Sequence, residues 1–434
     1  MSDKTIADAM TAKAASLKLA TMSSVDKNHA LGRIAQALRD NQDCIIEANQ
    51  KDMAAARETD LPMPLRKRLL FDEKKIRDVV SGVESLMRLE DPVGHEQFCT
   101  ELSEGLILRR ITCPLGVVGV IFESRPDALV QIATLCLKSG NAAILKGGSE
   151  ALHTNRILRD VMCKAVEETE ATNAAGTPPN GWMSLWETRD QVETMLQMHG
   201  YIDLIIPRGS NEFVQAIMKK TSIPVMGHAD GVCHLYIHSA ADPRMAVRLA
   251  VDSKTQYVSV CNAAETLLID RSAIGMLPDI IAALREKGVV IHGCEETRKV
   301  VDAEPVEDWH HEYLGYEISV KIVDDLEDAV RHIHAYGSGH TECIVTSDAD
   351  AAKAFLSSVD AGNVFHNCST RFSDGFRYGF GAEVGISTSK LHARGPVGLD
   401  GLVTYKYVVQ GDGHIVADFE EGRAVYTHKK IPNP

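Results

Sequence analysis

The sequence predicts an α/β protein built from two units, each a parallel β-sheet whose faces are covered by helices. Short segments rich in valine and isoleucine alternate with longer segments of helical periodicity through most of residues 106–366. Glycine and proline separate many of these segments, as they do at the ends of helices and strands. The length of 434 residues suits about two or three domains, and 44% apolar with 24% charged residues is ordinary for a globular protein.

The composition argues against several classes of partner and location. A formal net charge of −14 disfavours nucleic acids and anionic membrane surfaces, both of which attract basic patches. We expect no secretory signal and no membrane span, because neither a basic segment followed by an apolar one nor an apolar run of about 20 residues is present. The 10 cysteines contain no C-x-x-C pair, which favours reduced thiols over disulfides or zinc. The expected location is the cytoplasm.

The first predicted unit begins with helices and continues as alternating strands and helices. Residues 5–90 are rich in Ala, Leu and Lys and predict helices, which Pro62 and Pro64 interrupt. A strand over Leu106–Thr112 precedes a Pro-Leu-Gly turn. The elements that follow are strand Val117–Glu123, helix Pro126–Lys138, strand Ala142–Leu145, helix Glu150–Glu168, strand Met183–Trp186, helix Gln191–Met198, strand Ile202–Ile206 and a helix ending at Lys219. This spacing predicts parallel βαβ connections.

The second predicted unit repeats the alternation. Its elements are strand Thr266–Ile269, helix Ala273–Lys287, strand Val289–His292, strand Val320–Val323, helix Leu326–Tyr336, strand Cys343–Thr346, helix Ala349–Ser358 and strand Asn363–His366. A last strand, Val403–Val409, stands apart from these elements. It is expected to pair with another part of the fold or with a partner subunit, because an unpaired strand edge attracts a partner.

Cys261 is the leading candidate for a catalytic group. It lies among small and polar residues in the segment Gln256–Thr266, immediately before the predicted strand of the second unit. A cysteine at the boundary of an element can face a cleft, and clefts commonly form where two units meet. A nucleophilic thiol there would act on a carbonyl group through a thioester.

The sequence lacks the common glycine-rich nucleotide motifs. No G-x-G-x-x-G follows a strand, no G-x-x-x-x-G-K-S/T is present, and Gly379–Gly385 has glycines spaced one residue too far apart. Two strand-to-helix corners could hold a dinucleotide instead. Lys146–Gly148 offers a cation beside flexible backbone, and Pro207–Ser210 begins a helix whose free N–H groups can bind phosphate. Each corner, taken alone, is more often an ordinary turn than a nucleotide site.

Two polar segments at the ends of strands suit an anionic substrate. They are Glu123, Ser124 and Arg125 after one strand, and Ser369, Thr370 and Arg371 after another. Guanidinium groups bind carboxylate and phosphate in a fork, although both arginines could instead form surface salt bridges. The histidines at 310, 311, 332 and 334 do not share a helix face and predict no metal site. His340, in His340-Thr341-Glu342, is expected to line the cleft or to form a hydrogen-bonded turn.

Several motifs together resemble those of the gamma-glutamyl phosphate reductases, a branch of the aldehyde dehydrogenase superfamily. The resemblance covers nearly the whole chain, in the family's order. The motifs are Pro114–Pro126, Ser259–Leu268, Val323–Ile344, Ser369–Gly375, Gly381–Thr388 and Lys390–Pro396.

The resemblance implies an aldehyde-dehydrogenase-like fold of three parts. The implied ranges are a dinucleotide-binding domain of residues 1–105 and 117–235, a catalytic domain of residues 236–400, and a small β-flap for oligomerisation of residues 106–116 and 401–434. It also implies site residues. Cys261 and Asn262 would be catalytic, Lys146, Gly209, Ser210 and, on a looser alignment, Glu312 would bind the cofactor, and Glu123, Ser124, Arg125, Ser369, Thr370 and Arg371 would bind the substrate.

Two departures from the oxidising members of the superfamily point to reduction. Their glutamate general base is absent, since the corresponding stretch reads Gly227-His228-Ala229-Asp230, and their oxyanion-binding asparagine is replaced by Arg125. A hydrolytic enzyme needs that base to activate water, whereas reduction of an acyl phosphate does not. The implied reaction is the reduction of L-glutamyl 5-phosphate by NADPH to glutamate 5-semialdehyde and phosphate in proline biosynthesis.

The implied assembly is a homo-oligomer that associates with a glutamate 5-kinase. Two other functions remain open: another acyl-reducing or aldehyde-oxidising dehydrogenase of the same fold, and a non-catalytic dinucleotide-binding scaffold. The sequence does not decide between NADPH and NADH, between a dimer and a tetramer, or which arginine meets which anion of the substrate.

Overall fold

The computed structural model describes residues 3–167, 177–209, 211–227 and 230–432. It confirms the predicted α/β class, with two parallel sheets and a third, antiparallel sheet. The end of the predicted helix at Glu168 and the predicted phosphate-binding Ser210 lie outside the described residues. Within those ranges, no helix is both long and apolar enough to cross a bilayer.

The predicted N-terminal helical region forms five helices: α1 (Asp3–Leu19), α2 (Ser24–Asp40), α3 (Gln42–Glu58), α4 (Met63–Leu69) and α5 (Glu73–Arg88). The Ser23 side chain caps α2 by accepting a hydrogen bond from the main-chain N–H of Asp26. Buried side chains of α2 and α5 join the hydrophobic core of the first sheet. These helices therefore belong to the first unit.

The first sheet has four parallel strands in the order β5-β4-β3-β6. Its elements are β3 (Val117–Phe122), α6 (Pro126–Lys138), β4 (Ala142–Lys146), α7 (Leu152–Glu167), β5 (Met183–Trp186), α8 (Arg189–Met195), β6 (Leu204–Arg208) and α9 (Asn211–Lys220). Every residue of β3 is buried, as expected for a central strand covered on both faces. The carboxyl ends of β3, β4 and β6 lie side by side, so the corners that follow them meet at one edge.

The second sheet has seven parallel strands in the order β10-β9-β11-β8-β7-β12-β13. Its elements are β7 (Cys233–Ile237), α10 (Pro243–Thr255), β8 (Ala264–Asp270), α11 (Leu277–Glu286), β9 (Val290–Gly293), α12 (Glu295–Val300), β10 (Glu304–Pro305), β11 (Glu317–Val323), α13 (Leu326–Tyr336), β12 (Thr341–Val345), α14 (Ala349–Ser358), β13 (Asn363–His366) and α15 (Gly375–Tyr378). The sequence interpretation omitted β7 and α10. Because β7 begins at Cys233, the predicted boundary at residue 236 falls inside a strand of this sheet.

The third sheet is antiparallel, with the order β16-β2-β1-β17. The remaining elements are β1 (Glu96–Ser103), β2 (Leu106–Pro114), β14 (Gly385–Ser387), β15 (Gly395–Val397), β16 (Val403–Gln410), α16 (Val416–Glu420) and β17 (Lys429–Ile431). The predicted last strand corresponds to β16, which pairs with β2 of the same chain. Strand β1 also belongs to this sheet, although residues 96–103 were assigned to the dinucleotide-binding range.

The segment that carries β14 and β15 packs on the first unit. Its side chains at Val384, Val397 and Leu402 belong to the same hydrophobic core as Val120 of β3. The predicted catalytic range of residues 236–400 therefore includes a segment whose core lies with the other sheet. This return of the chain brings both units into contact near the end of the sequence.

Asn49 links α3 to α7, and its replacement should destabilise the first unit. Its side chain donates to Leu69 O at 2.9 Å and to Thr154 Oγ1 at 3.1 Å, and accepts from Phe71 N at 2.9 Å. Asn49→Ala should lower the free energy of unfolding by about 2–3 kcal/mol, because it leaves buried polar groups without partners. Urea unfolding would measure the change. Gln50→Ala, at an exposed site on the same helix, is the control, and equal stability of the two variants would contradict the assignment.

Candidate active site

Cys261 lies in the loop that joins α10 to β8, at the junction of the two units. A buried ion pair joins the two ends of this loop: Lys254 Nζ lies 2.7 Å from Glu265 Oε2, and neither side chain is exposed. Burial raises the pKa of Glu265 to about 7 and lowers that of Lys254. The other Glu265 oxygen accepts from Leu314 N at 3.4 Å. The contacts of Glu265 therefore fix both ends of the loop that carries Cys261.

Two segments, Gly231–Cys233 and the one that carries His340, contact Cys261 from other parts of the chain. Nε2 of His340 lies 3.2 Å from its Sγ, and the thiol of Cys233 donates to its carbonyl oxygen at 3.1 Å. The main chain of Gly231 lies so close that a Cβ there would be 2.3 Å from Cys261 O and 2.6 Å from Cys261 Cβ. Cys261 itself is only partly buried.

Arg208 and Arg371 provide positive charge around the thiol. Burial is the main cause that lowers the pKa of each, and in each case the next largest cause is a neighbouring guanidinium, Arg125 for Arg208 and Arg377 for Arg371. Negative charge on Cys261 raises the pKa of both arginines. Both guanidinium groups therefore lie within electrostatic reach of the thiol. Clustered cations of this kind are suited to an anionic ligand.

The loop that carries Arg371 is anchored to α10 and to the Cys261 loop. Ser369 Oγ caps the short 3₁₀ turn Thr370–Phe372, and Ser253 Oγ accepts from Thr370 N at 3.2 Å. The Asn262 side chain donates to Ser373 O at 2.7 Å. Ser369 and the Asn262 amide therefore stabilise the loop that positions Arg371. The Arg371 Nε donates to Gln256 Oε1 at 3.0 Å.

The main-chain N–H groups of Cys261 and Asn262 are available for an oxyanion. Across the described ranges, neither N–H has a backbone acceptor. Two adjacent N–H donors beside a nucleophile are the usual arrangement for stabilising a tetrahedral oxygen. The Asn262 side chain is engaged only through its Nδ2, because its buried Oδ1 has no hydrogen-bond partner among the described residues.

Glu123, at the carboxyl edge of the first sheet, lies near both of the predicted cofactor residues Lys146 and Gly209. A Cβ at Gly209 would lie 2.8 Å from Phe213 Cδ1 and 3.0 Å from Glu123 Oε2, so the backbone is closely approached there. Burial lowers the pKa of Lys146, while Glu150 and Glu123 act to raise it. Glycine backbone, a cation and carboxylates fit the phosphate and ribose groups of a dinucleotide. Glu123, predicted to bind substrate, lies on this side.

Ser124 separates this edge from the thiol side. Its φ is +43°, and both its N–H and its hydroxyl donate to Glu150 Oε1 at 2.6 Å. The side chain is buried and engaged, which does not support the predicted contact between Ser124 and substrate. The turn instead directs the exposed Arg125 toward Arg208.

Glu312 links the two units. Asn211, the first residue of α9, donates to Glu312 Oε2 at 3.0 Å and to Asp230 Oδ1 at 2.5 Å. Glu312 therefore lies beside the start of the helix predicted to bind phosphate. In the segment Gly227–Asp230, which stands where oxidising members have their glutamate base, the Asp230 carboxylate accepts the hydrogen bond from Asn211. His228 and Ala229 lie outside the described residues.

The sequence interpretation missed one residue of this site and left another undecided. Arg208 was treated only as part of a turn, and His340 was weighed between a cleft residue and a turn. A signal for Arg208 existed, since it ends a strand that neighbours the one before Arg125. Over the described parts of the chain, no three His, Cys, Asp or Glu side chains are arranged to hold a metal ion.

Gly231→Ala should displace Cys261. The added Cβ would overlap the backbone of Cys261, and we expect the free energy of unfolding to fall by about 1–3 kcal/mol from overpacking. A crystal structure of the variant should show Cys261 Sγ moved away from His340 Nε2. Gly275→Ala is the matched control, because its Cβ would meet nothing within 4 Å. An unchanged Cys261 position and stability in Gly231→Ala would refute the tight contact.

Comparison with known proteins supports the resemblance. The sequence profile of the aldehyde dehydrogenase family matches residues 2–300. The gamma-glutamyl phosphate reductase of Acetivibrio thermocellus is 59% identical over 422 residues, which cover 96% of this chain and 96% of that protein. The enzyme of the same name from Nostoc punctiforme is 49% identical over 433 residues, 98% of each chain.

Solved structures agree with these matches. The crystal structure of gamma-glutamyl phosphate reductase from Thermotoga maritima has a TM-score of 0.91 and 38% identity, and covers 95% of this chain and 100% of that one. An acetylating aldehyde dehydrogenase from Geobacillus thermoglucosidasius shares the fold, with a TM-score of 0.63 and 19% identity over 95% of this chain and 97% of that one. The chain therefore belongs to the aldehyde dehydrogenase family and, within it, to the gamma-glutamyl phosphate reductases, which are oxidoreductases.

Proposed function

We propose that this protein reduces L-glutamyl 5-phosphate with NADPH, giving L-glutamate 5-semialdehyde, NADP⁺ and phosphate, as the second step of proline biosynthesis. The observation that carries the proposal is the environment of Cys261. Its sulfur lies 3.2 Å from an imidazole nitrogen and within electrostatic reach of two arginines. A thiol in positive surroundings is readily converted into a nucleophilic thiolate. The same cations would bind a phosphorylated, carboxylate-bearing substrate.

The chemical steps proposed for the chain begin with attack of the Cys261 sulfur on the acyl carbon. The tetrahedral oxygen formed in this attack would accept hydrogen bonds from the N–H groups of Cys261 and Asn262. Collapse of the adduct breaks the carbon–oxygen bond to phosphate and leaves a thioester on Cys261. Arg208, Arg125 and Arg371 would hold the departing phosphate and the α-carboxylate. After reduction, the thiohemiacetal collapses to the aldehyde and frees the sulfur.

The cofactor proposed for this reaction is NADPH, which when bound supplies a hydride to the thioester carbon. Lys146 would hold its ribose or 2′-phosphate, and Gly209 with the start of α9 would hold its phosphates. Ser210 is part of this proposal on sequence grounds. Glu312, beside Asn211, would accept from a ribose hydroxyl. The close backbone at Gly209 and the lysine at the same edge support this placement.

We further propose that the enzyme is a cytoplasmic homo-oligomer joined through the antiparallel sheet. Support comes from β16, an edge strand whose Tyr405, Tyr407 and Val409 are exposed. Association with a glutamate 5-kinase is part of the same proposal, because an acyl phosphate hydrolyses readily in water and direct transfer would protect it.

The proposal predicts phosphate-dependent oxidation of glutamate 5-semialdehyde in the reverse direction. The rate should be higher with NADP⁺ than with NAD⁺, and should fall to background when phosphate is omitted. Cys261→Ser should lose at least about 10³-fold in kcat, because the hydroxyl is a far weaker nucleophile than a thiolate. Propanal with coenzyme A tests the rival acyl-transferring dehydrogenase. Turnover with that pair, or cofactor binding with no turnover at all, would contradict the proposal.

Arg208→Gln should weaken the use of phosphate. Loss of a charge-assisted contact worth about 1.5–3 kcal/mol corresponds to a roughly 10- to 100-fold fall in kcat/KM for phosphate in the reverse assay. Arg244→Gln, at an exposed position on α10, is the control and should behave like the wild type. A KM for phosphate that is equal in both variants would remove Arg208 from the substrate site.

A further inference from the structure

We propose that His340 is a catalytic residue that takes the proton from the Cys261 thiol and delivers it to the departing phosphate. This inference rests on the proposed function, because it assigns a proton to a step of that reaction. Within that function, it identifies a base for the nucleophile in a chain that lacks the superfamily's glutamate. The contact that motivates it is the 3.2 Å distance between His340 Nε2 and Cys261 Sγ.

The imidazole of His340 is rigidly oriented. It is fully buried, it directly precedes β12, and its Nδ1 lies 2.8 Å from Thr341 Oγ1. Its carbonyl oxygen accepts from the side chain of Asn363 at 2.9 Å and from the main chain of the same residue at 3.1 Å. Both the ring and the backbone of His340 are therefore fixed, which is what proton transfer over a short distance requires.

The hydrogen bonds around the ring allow the proton to lie on Nδ1. The Cys233 thiol, 3.6 Å from Nδ1, already donates to the carbonyl oxygen of Cys261. Thr341 Oγ1 accepts from Asn363 Nδ2 at 3.3 Å and has a lone pair left for a second donor. We assign the proton to Nδ1, donating to Thr341 Oγ1. This tautomer leaves the lone pair of Nε2 directed at the sulfur of Cys261.

The charged groups that face the pair favour transfer of the proton. Arg208 of β6 and Arg371 of the loop after β13 both act on Cys261, and either guanidinium stabilises a thiolate. Cys233 of β7 faces the other side of the ring, and burial raises its pKa well above the ordinary value, which keeps it a neutral thiol. The negative charges of Glu342 and Glu265 raise the pKa of Cys233 further. Cys233 therefore does not compete with Cys261 as a proton donor to the ring.

The proposed step balances in protons and bonds. The proton of the Cys261 thiol moves to His340 Nε2, and the thiolate forms a carbon–sulfur bond with the acyl carbon. As the carbon–oxygen bond to phosphate breaks, the imidazolium returns this proton to the phosphate oxygen, which leaves as hydrogen phosphate. Hydride addition to the thioester and collapse of the thiohemiacetal release the sulfur as a thiolate. One proton from solvent restores the thiol, which accounts for the proton consumed in the overall reduction.

Alkylation of Cys261 by iodoacetamide tests this role without substrate or cofactor. The rate at Cys261 would be followed by mass spectrometry from pH 5 to pH 10, because only the thiolate reacts. In His340→Gln, the amide can still bond to the sulfur but cannot accept its proton. We expect alkylation at pH 7 to be at least about tenfold slower than in the wild type, with the two rates converging near pH 10. The variant's kcat should fall roughly 10²- to 10⁴-fold.

A second variant keeps the test valid if His340→Gln folds poorly. Thr341→Val preserves shape but removes the acceptor for Nδ1, and should shift the alkylation profile in the same direction by a smaller amount. His366→Gln, an exposed histidine of β13, is the matched control and should leave the profile unchanged. Superimposable profiles for His340→Gln, Thr341→Val and the wild type would overturn the proposal.

The outcomes separate this inference from the function on which it rests. If Cys261→Ser retains reductase activity, the thioester route itself fails. If Cys261→Ser is inactive while both variants at positions 340 and 341 alkylate and turn over like the wild type, only the role of His340 fails.

Discussion

The buried ion pair between Lys254 and Glu265 determines where the thiol lies, because it joins the end of α10 to the start of β8 beneath the loop that carries Cys261. Removing two charges from water costs several kcal/mol per ion, so the pair persists only while its partners remain in contact. Burial raises the pKa of Glu265 to about 7 and lowers the pKa of Lys254, so it favours the neutral form of each group. A hydrogen bond between them survives transfer of the proton. The loop is therefore held in either protonation state.

With the loop fixed, the end of a single strand serves two sites. Glu123 extends from β3 toward Lys146 and Gly209, while Arg125, two residues later, extends toward Arg208 and the thiol side. The turn between them depends on Ser124, whose positive φ is supported by two hydrogen bonds to Glu150. This arrangement separates a mixed-charge edge, suited to a dinucleotide, from a cationic one, suited to an acyl phosphate.

Sequence periodicity was most successful where local signals and packing agree. The helices α6, α13 and α14 begin and end at the predicted residues, since each starts at a proline or just after an acidic cap and ends before a strand. Strand β1 escaped prediction because Glu96, Thr100 and Glu101 give it a polar, weakly alternating pattern that only pairing with β2 stabilises. His340 could not be assigned to the site from Gly-Ser-Gly-His-Thr-Glu, because its contact with Cys261 depends on β12 pairing with β7. Such pairings between distant segments leave little trace in local sequence.

The imidazole beside the thiol raises a further requirement for a reductase. Once its proton has left with phosphate, neutral His340 could activate water against the thioester, which is the reaction that the superfamily's missing glutamate would promote. Its ring is fully buried, and its Nδ1 is engaged by Thr341, so the only nitrogen able to act as a base faces the sulfur itself. In the proposed reaction this nitrogen reaches the phosphate oxygen on the acyl carbon, so a water molecule in that place would meet the same base. Because the ring is buried, that place opens to water only after phosphate has left, and reduction requires hydride transfer to precede the entry of water.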